Sequence, residues 1–252
     1  MGIHFDSLTT DRVLTPYPNQ MIAAAKFSFS CWLYIDSWVS NQWVTEWAGT
    51  TTGTTPHIIF TLAGTPNILR ALIRIGGTNR QVNIADDVSS ITTGEWFHYA
   101  LVYDDTNIIA YHNGEAIHTV PCSGTLNMDG TGDIVIGNSK AWATNTNGMG
   151  GRMAEYGLTP TEIKKHDIGA LASGASLARF GFDALYHPFY TGTASAQIDL
   201  SGRGLHGTAT GTNLADHPPI EVTPRTSMRS RITPSVAAAT APHRLMTLGV
   251  GM

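Results

Sequence analysis

At 252 residues the chain is long enough to bury a full core, and a β-rich chain of this size is expected to form one domain. Only 13% of residues are charged, 26 are glycine, and Ser, Thr and Asn cluster between apolar runs, so the composition points to short strands joined by turns with little helix. No apolar run approaches the ~18 residues of a membrane span, and two cysteines cannot make a disulfide framework, although Cys31 and Cys122 leave one bridge open beside the expected pair of buried thiols.

The first stretch, MGIHFDSLTTDRV, has no basic region followed by an apolar one, and Asp6 breaks the myristoylation pattern after Gly2. The expectation is a chain made in a cytoplasm that reaches an exterior by lysis, assembly or a dedicated machine. Phe27 to Asp36 then alternates strictly, which puts Phe27, Phe29, Cys31, Leu33 and Ile35 on a core face and Ser28, Ser30, Trp32 and Tyr34 on the other. Four of the six tryptophans fall between Trp32 and Trp47, interleaved with Asp36, Asn41, Gln42 and Glu46. That mixture suits sugar stacking, but packing is the expected use of most such rings. His57 to Leu62 and Leu69 to Ile75 read as a strand pair, with a further short strand at Gln81 to Ile84. Asp86-Asp87 and Asp104-Asp105 are acidic turns; calcium is conceivable at either but not predicted, because the spaced series of a calcium loop is missing.

Ile91 to Ser139 carries the strongest fold signal. Glu95 to Tyr103 is apolar or aromatic on both faces apart from His98, as a central strand covered on both sides should be. Ile108 to His112 meets Asn113-Gly114, the pair best suited to a type I′ turn, so Glu115 to Val120 should fold back antiparallel. Counting from the turn pairs His112 with Glu115, Tyr111 with Ala116, Ala110 with Ile117 and Ile109 with His118. These residues, GEWFHYALVYDDTNIIAYHNGEAI followed by GDIVIGNS, resemble the middle strands of the laminin-G-like, concanavalin A-like jelly roll, and the Phe27 strand resembles that family's early Phe-Thr-x-x-x-Trp strand. The resemblance implies an all-β, antiparallel jelly-roll sandwich over residues 1–222, with one short helix. It is nearly silent on function, because this sandwich serves lectins, adhesion modules, glycosidases and virion proteins alike.

Lys140 to Arg152, KAWATNTNGMGGR, reads as a rim loop, and Trp142, Asn145, Asn147 and Arg152 are its candidate ligand contacts. Thr159-Pro160-Thr161-Glu162 reads as a capping box that opens a helix with Ile163, His166, Ala170 and Leu171 on one face and Gly174 at its end. Gly202-x-Gly204-x-x-Gly207 formally matches a dinucleotide fingerprint, but without a βαβ context nucleotide binding is rejected. Asp-Leu-Ser-Gly at 199–202 instead resembles the opening of laminin-G-like domains, so residues 183–210 are expected to supply the opening strand in a permuted order, with Asp199 and Ser201 serving a turn.

Residues 1–221 hold all 19 acidic residues against 11 Lys and Arg, a net −8, whereas 222–252 carry four arginines and no acid. Residues 223–252 therefore read as an extended basic arm with Arg225, Arg229, Arg231 and Arg244, ending in the alternating Met246, Leu248, Val250 and Met252, a pattern suited to strand addition on a partner's sheet edge. No assembled acid, base or nucleophile is legible, and the trio His98, His112 and His118 would make a metal site only if strand order converged them. The expectation is a non-catalytic, homo-oligomeric structural or binding protein without cofactor. Its place would be a virion surface, as capsid decoration or tail-associated protein, with neighbouring subunits and surface glycans as partners and neither nucleic acid nor membrane. The alternatives are an extracellular glycan-binding lectin and, after it, a glycoside hydrolase.

Overall fold

The computed structural model describes residues 2–6, 10–37, 42–47, 58–63, 68–84, 91–126, 132–139, 148–189 and 195–220. Its strands are β1 (Gly2–Asp6), β2 (Arg12–Pro16), β3 (Phe27–Ile35), β4 (Gln42–Trp47), β5 (Ile58–Ala63), β6 (Ile68–Ile75), β7 (Thr78–Ile84) and β8 (Trp96–Tyr103). They continue as β9 (Asn107–His112), β10 (Glu115–Pro121), β11 (Asp133–Ile136), β12 (Gly150–Thr159), β13 (Leu185–His187), β14 (Ala196–Gln197), β15 (Gly207–Thr210) and β16 (Asn213–Ala215), with one α-helix, α1 (Lys165–Ala172). Two antiparallel sheets result. The first runs β10-β9-β8-β3-β12-β1-β16, with β13 paired to β12, and the second runs β14-β15-β2-β11-β4-β5-β6-β7. Residues Met1–Glu221 form one compact unit; Val222–Met252, a second, lie outside the described residues.

The alternation of β3 sets the core. Phe27, Phe29, Cys31, Leu33 and Ile35 all point inward and are fully buried, and both cysteines are buried free thiols. Phe29 packs on Phe60 at 4.8 Å and on Tyr156 at 5.1 Å, so rings from both sheets interdigitate. The buried Tyr156 hydroxyl accepts from Trp47 Nε1 at 2.8 Å and shares a 3.1 Å bond with Thr45 Oγ1, which removes the cost of a bare phenol in the core. β8 lies in the interior of the first sheet between β3 and β9, as its two apolar faces require. One face joins the core, and the other packs Ala100 and Val102 beneath Ile168 and Leu171 of α1.

Three local expectations are corrected. The β9–β10 turn does use Asn113 and Gly114 at φ 47° and 88°, and the first two pairs hold, but a bulge between Ala116 and His118 shifts the rest, so that Ala110 pairs with His118 and Ile109 with Thr119. The extra residue, Ile117, is 42% exposed. The shift lets His118 Nδ1 reach the Asn83 carbonyl at 2.8 Å on β7, which ties one sheet edge to the other.

The helix begins at Lys165, not Pro160. Thr159 stays in the ladder opposite Ser28, while the Glu162 carboxylate pairs with Lys26 and Lys164 instead of reaching back to a cap. Strand pairing outcompetes the capping box. His166 consequently stands in solvent, and Ile168 and Leu171 form the buried face. Gly174, at φ 99°, does close the helix: its N–H reaches Leu171 O and that of Ala175 reaches Ala170 O, both at 3.0 Å.

Arg152, expected in a loop, belongs to β12 and faces Tyr34 and His4 across the sheet. β1 and β2 were not anticipated at all. They carry the inward residues Ile3, Phe5 and Val13 and meet the end of the described chain, since β15 pairs with β2 and β16 with β1. Between β14 and β15 the Asp199 carboxylate accepts from Tyr186 N, Ser201 N, Ser201 Oγ and Leu205 N, all within 3.0 Å. Burial acts to raise its pKa, yet these bonds hold it below the ordinary carboxylate value, so Asp199 and Ser201 serve a turn.

Candidate ligand-binding site

Register alone assembles one continuous row across five strands on the outer face of the first sheet. Trp96 opposes Tyr34, Tyr34 opposes Arg152, Arg152 opposes His4, and His4 opposes Asn213. These residues share the parity that points away from the core, where neighbouring side chains on paired strands meet.

The contacts follow from that register. The Tyr34 and Trp96 rings lie edge to face with centroids 5.6 Å apart. The Arg152 guanidinium carbon sits 4.4 Å from the Tyr34 ring centroid, a cation–π geometry, and its Nη1 is 3.5 Å from Asp216 Oδ2. His4 is held from both sides, Nε2 2.8 Å from Asp36 Oδ2 and Nδ1 3.1 Å from Asp6 Oδ1. Asn213 Nδ2 donates to Asp6 Oδ2 at 3.3 Å. Gly2 makes room at the centre: a Cβ there would lie 3.1 Å from the Trp96 ring and 3.0 Å from the Asp216 carbonyl. Beside the row opens a shallow pocket of about 370 Å³ lined by His4, Arg152, Leu214, Ala215 and Asp216. Arg152 and His4 are about a quarter exposed, and Asp216 is almost wholly so.

Such a surface combines two partly exposed aromatic rings, a guanidinium and several carboxylate acceptors. Stacking beside dense, two-sided hydrogen bonding is the chemistry that holds a polyhydroxylated ring.

Of the four loop candidates, Arg152 lies in this site, while Trp142, Asn145 and Asn147 fall outside the described residues, as do Arg225, Arg229, Arg231, Arg244, Met246, Leu248 and Val250 of the arm. His4, Tyr34, Trp96 and Asp216 were missed. Strand parity marks Tyr34 and Trp96 as outward, but only the pairing of β1 with β12 and β16 brings the others beside them. Two rings of the tryptophan-rich stretch go to packing: Trp47 is fully buried, and Trp32 packs edge to face on His98 at 5.5 Å.

The histidine trio does not converge. His98 Nε2 bonds Ser30 Oγ at 2.8 Å in a buried position that, through desolvation first and the neighbouring His112 second, lowers its pKa to about 3. His112 packs against Phe97, and His118 is engaged with Asn83. Among the described residues no group of three or more His, Cys, Asp or Glu is placed to hold a metal ion. Asp104 stitches its own turn, with Oδ1 accepting from Thr106 N, Thr106 Oγ1 and Asn107 N within 2.8 Å; Asp86-Asp87 lies outside the described residues.

A family model described as the concanavalin A-like lectin/glucanases superfamily matches residues 8–168. Among curated proteins none matches the chain. Among solved structures the fold is similar to a Bacteroides ovatus protein described as carbohydrate-binding, with a TM-score of 0.60 at 19% identity over 83% of this chain and 60% of that one. This chain therefore spans less than two thirds of the Bacteroides protein. It is also similar to the native heptameric SAP-like pentraxin of Limulus polyphemus (TM-score 0.52, 13% identity, 68% of this chain and 81% of that one). A third similar structure is the CBM40 of the Ruminococcus gnavus IT-sialidase bound to α2,3-sialyllactose (0.51, 14%, 68% and 95%). At these identities the likeness is one of fold.

Proposed function

The chain belongs to the concanavalin A-like lectin/glucanases superfamily, and from that premise we propose that it is a non-catalytic glycan-binding module. The observation that carries this reading is the row Trp96–Tyr34–Arg152–His4, open to solvent beside the Asp216 pocket. Two structures of similar fold bear carbohydrate binding in their descriptions, which supports the class without identifying a sugar. The rings supply apolar stacking area, Arg152 donates, and the carboxylates accept from ring hydroxyls. Trp142, Asn145 and Asn147 are proposed to extend the site from the segment that leads into β12. A glycan array followed by titration tests the reading: Trp96→Ala and Arg152→Gln should each weaken binding by about tenfold or more, as central aromatic and arginine contacts do. Unchanged binding in both variants, with melting temperatures preserved, would overturn it.

A second reading rests on the charge reversal at residue 222. Residues 223–252 would tie the domain to neighbouring subunits or to a larger shell, a virion capsid or tail, through arginine–carboxylate pairs and an added strand. Removing residues 223–252 should abolish incorporation into such an assembly and leave the melting temperature nearly unchanged; normal incorporation of the truncated chain contradicts it.

A further inference from the structure

The row proposed to hold the ligand is acidic, and each of its cationic side chains already faces a carboxylate. Among the described residues it is bordered by the carboxylates of Asp6, Asp36 and Asp216, against the single guanidinium of Arg152. One face of that guanidinium lies on Tyr34 and one edge on Asp216. His4 presents no free nitrogen either, since Nδ1 faces Asp6 and Nε2 faces Asp36.

An anionic sugar entering here would compete with Asp216 for Arg152 and would stand beside the other acids. A neutral sugar needs no displacement, because its hydroxyls donate to carboxylate oxygens whose remaining lone pairs are free to accept. We propose that this site selects neutral glycans and rejects anionic ones, whether sialylated, sulfated or uronic. The inference rests on the glycan-binding reading and deepens it: like-charge juxtaposition sets which class of sugar is turned away, while the rings set affinity.

The test is titration calorimetry of the full chain with matched probes: lactose against sialyllactose, and N-acetylglucosamine oligomers against hyaluronan oligomers, at low and at high salt. The neutral member of each pair should bind at least about fivefold more tightly at low salt, and the gap should narrow as salt rises. Asp216→Lys, which adds a cation where an acid stood, should narrow or reverse the ratio.

Equal or tighter binding of the anionic members, still abolished by Trp96→Ala, would overturn the selectivity while leaving the site in place. Binding of any probe that neither Trp96→Ala nor Arg152→Gln weakens would move the ligand elsewhere and sink both. So would the absence of binding by all probes at millimolar concentration.

Discussion

The outer face of the first sheet carries small residues at one end and large amphipathic ones at the other. Along β3 the outward series runs Ser28, Ser30, Trp32, Tyr34, and along β8 it runs Val102, Ala100, His98, Trp96. The small end is covered: Ser28 Oγ donates to Thr161 O and accepts from Ile163 N, and Ile168 and Leu171 close over Ala100 and Val102. On β12 even a methyl group would be too much, since a Cβ on Gly157 would lie 2.7 Å from Leu177 and 2.8 Å from Phe182. Trp32 and His98 form the boundary, and beyond it Tyr34, Trp96, Arg152 and His4 are only partly covered. The same pleat thus supports a second small core or a binding surface, depending only on side-chain size and on where the chain returns to cover it.

Removing the strands that close both ends should cost most, whereas breaking the covered end alone should cost stability and spare the open one. The largest effect is expected from deleting residues 183–252, which removes β13, β15 and β16 from their pairings with β12, β2 and β1 and should abolish cooperative unfolding. A truncated chain that melts as sharply as the whole would show that closure by these strands, including any opening strand supplied by residues 183–210, is dispensable. Next, Leu171→Ala should lower unfolding stability by about 2–5 kcal/mol through the cavity it leaves, while glycan affinity stays unchanged.

Acid should act at the boundary and in the core together. Burial lowers the pKa of His98 from 6.5 to about 3 and that of His187 to about 4, so the unfolded chain takes up protons first. Stability is therefore full above about pH 6.5 and is lost as pH falls toward 4 and then 3, at about 1.4 kcal/mol per pH unit for each histidine. Glu155, whose carboxyl burial pushes upward, opposes this in part. Denaturant midpoints at pH 7, 6 and 5 check the slope, and a flat profile would contradict it. The smallest effect sharpens the β9–β10 register: Ile117→Lys should change stability by no more than about 0.5 kcal/mol if Ile117 is the bulged, exposed residue, and by several times that if it paired inward with Ala110.

The legible parts of the molecule are those decided locally. β3 and β8 follow from alternation and aromatic content, the β9–β10 turn from Asn113-Gly114, and the helix end from Gly174. The bulge at Ile117 goes with a contact from His118 to Asn83, a residue on the other sheet, which counting from the turn cannot find. The capping box failed because Thr159 has two local solutions, and Ser28, far away in sequence, selects the strand. The site was the least legible for the same reason. Its row draws Trp96, Tyr34, Arg152, His4 and Asn213 from five separate strands, and the alternation in Gly-Ile-His-Phe-Asp that marks β1 is too short to stand out. Of the row, the sequence alone marks only Arg152, and marks it as a residue of the loop before its strand.

The most direct test of the open end as the ligand surface is an NMR titration of the full chain with whichever neutral oligosaccharide binds, following the tryptophan indole and leucine and isoleucine methyl signals together. Saturable shifts of the Trp96 indole N–H, with the methyls of Leu171 and Ile168 unmoved, are the predicted result. Saturable shifts that leave Trp96 in place and centre on Trp43 and the outer face of the second sheet would contradict it.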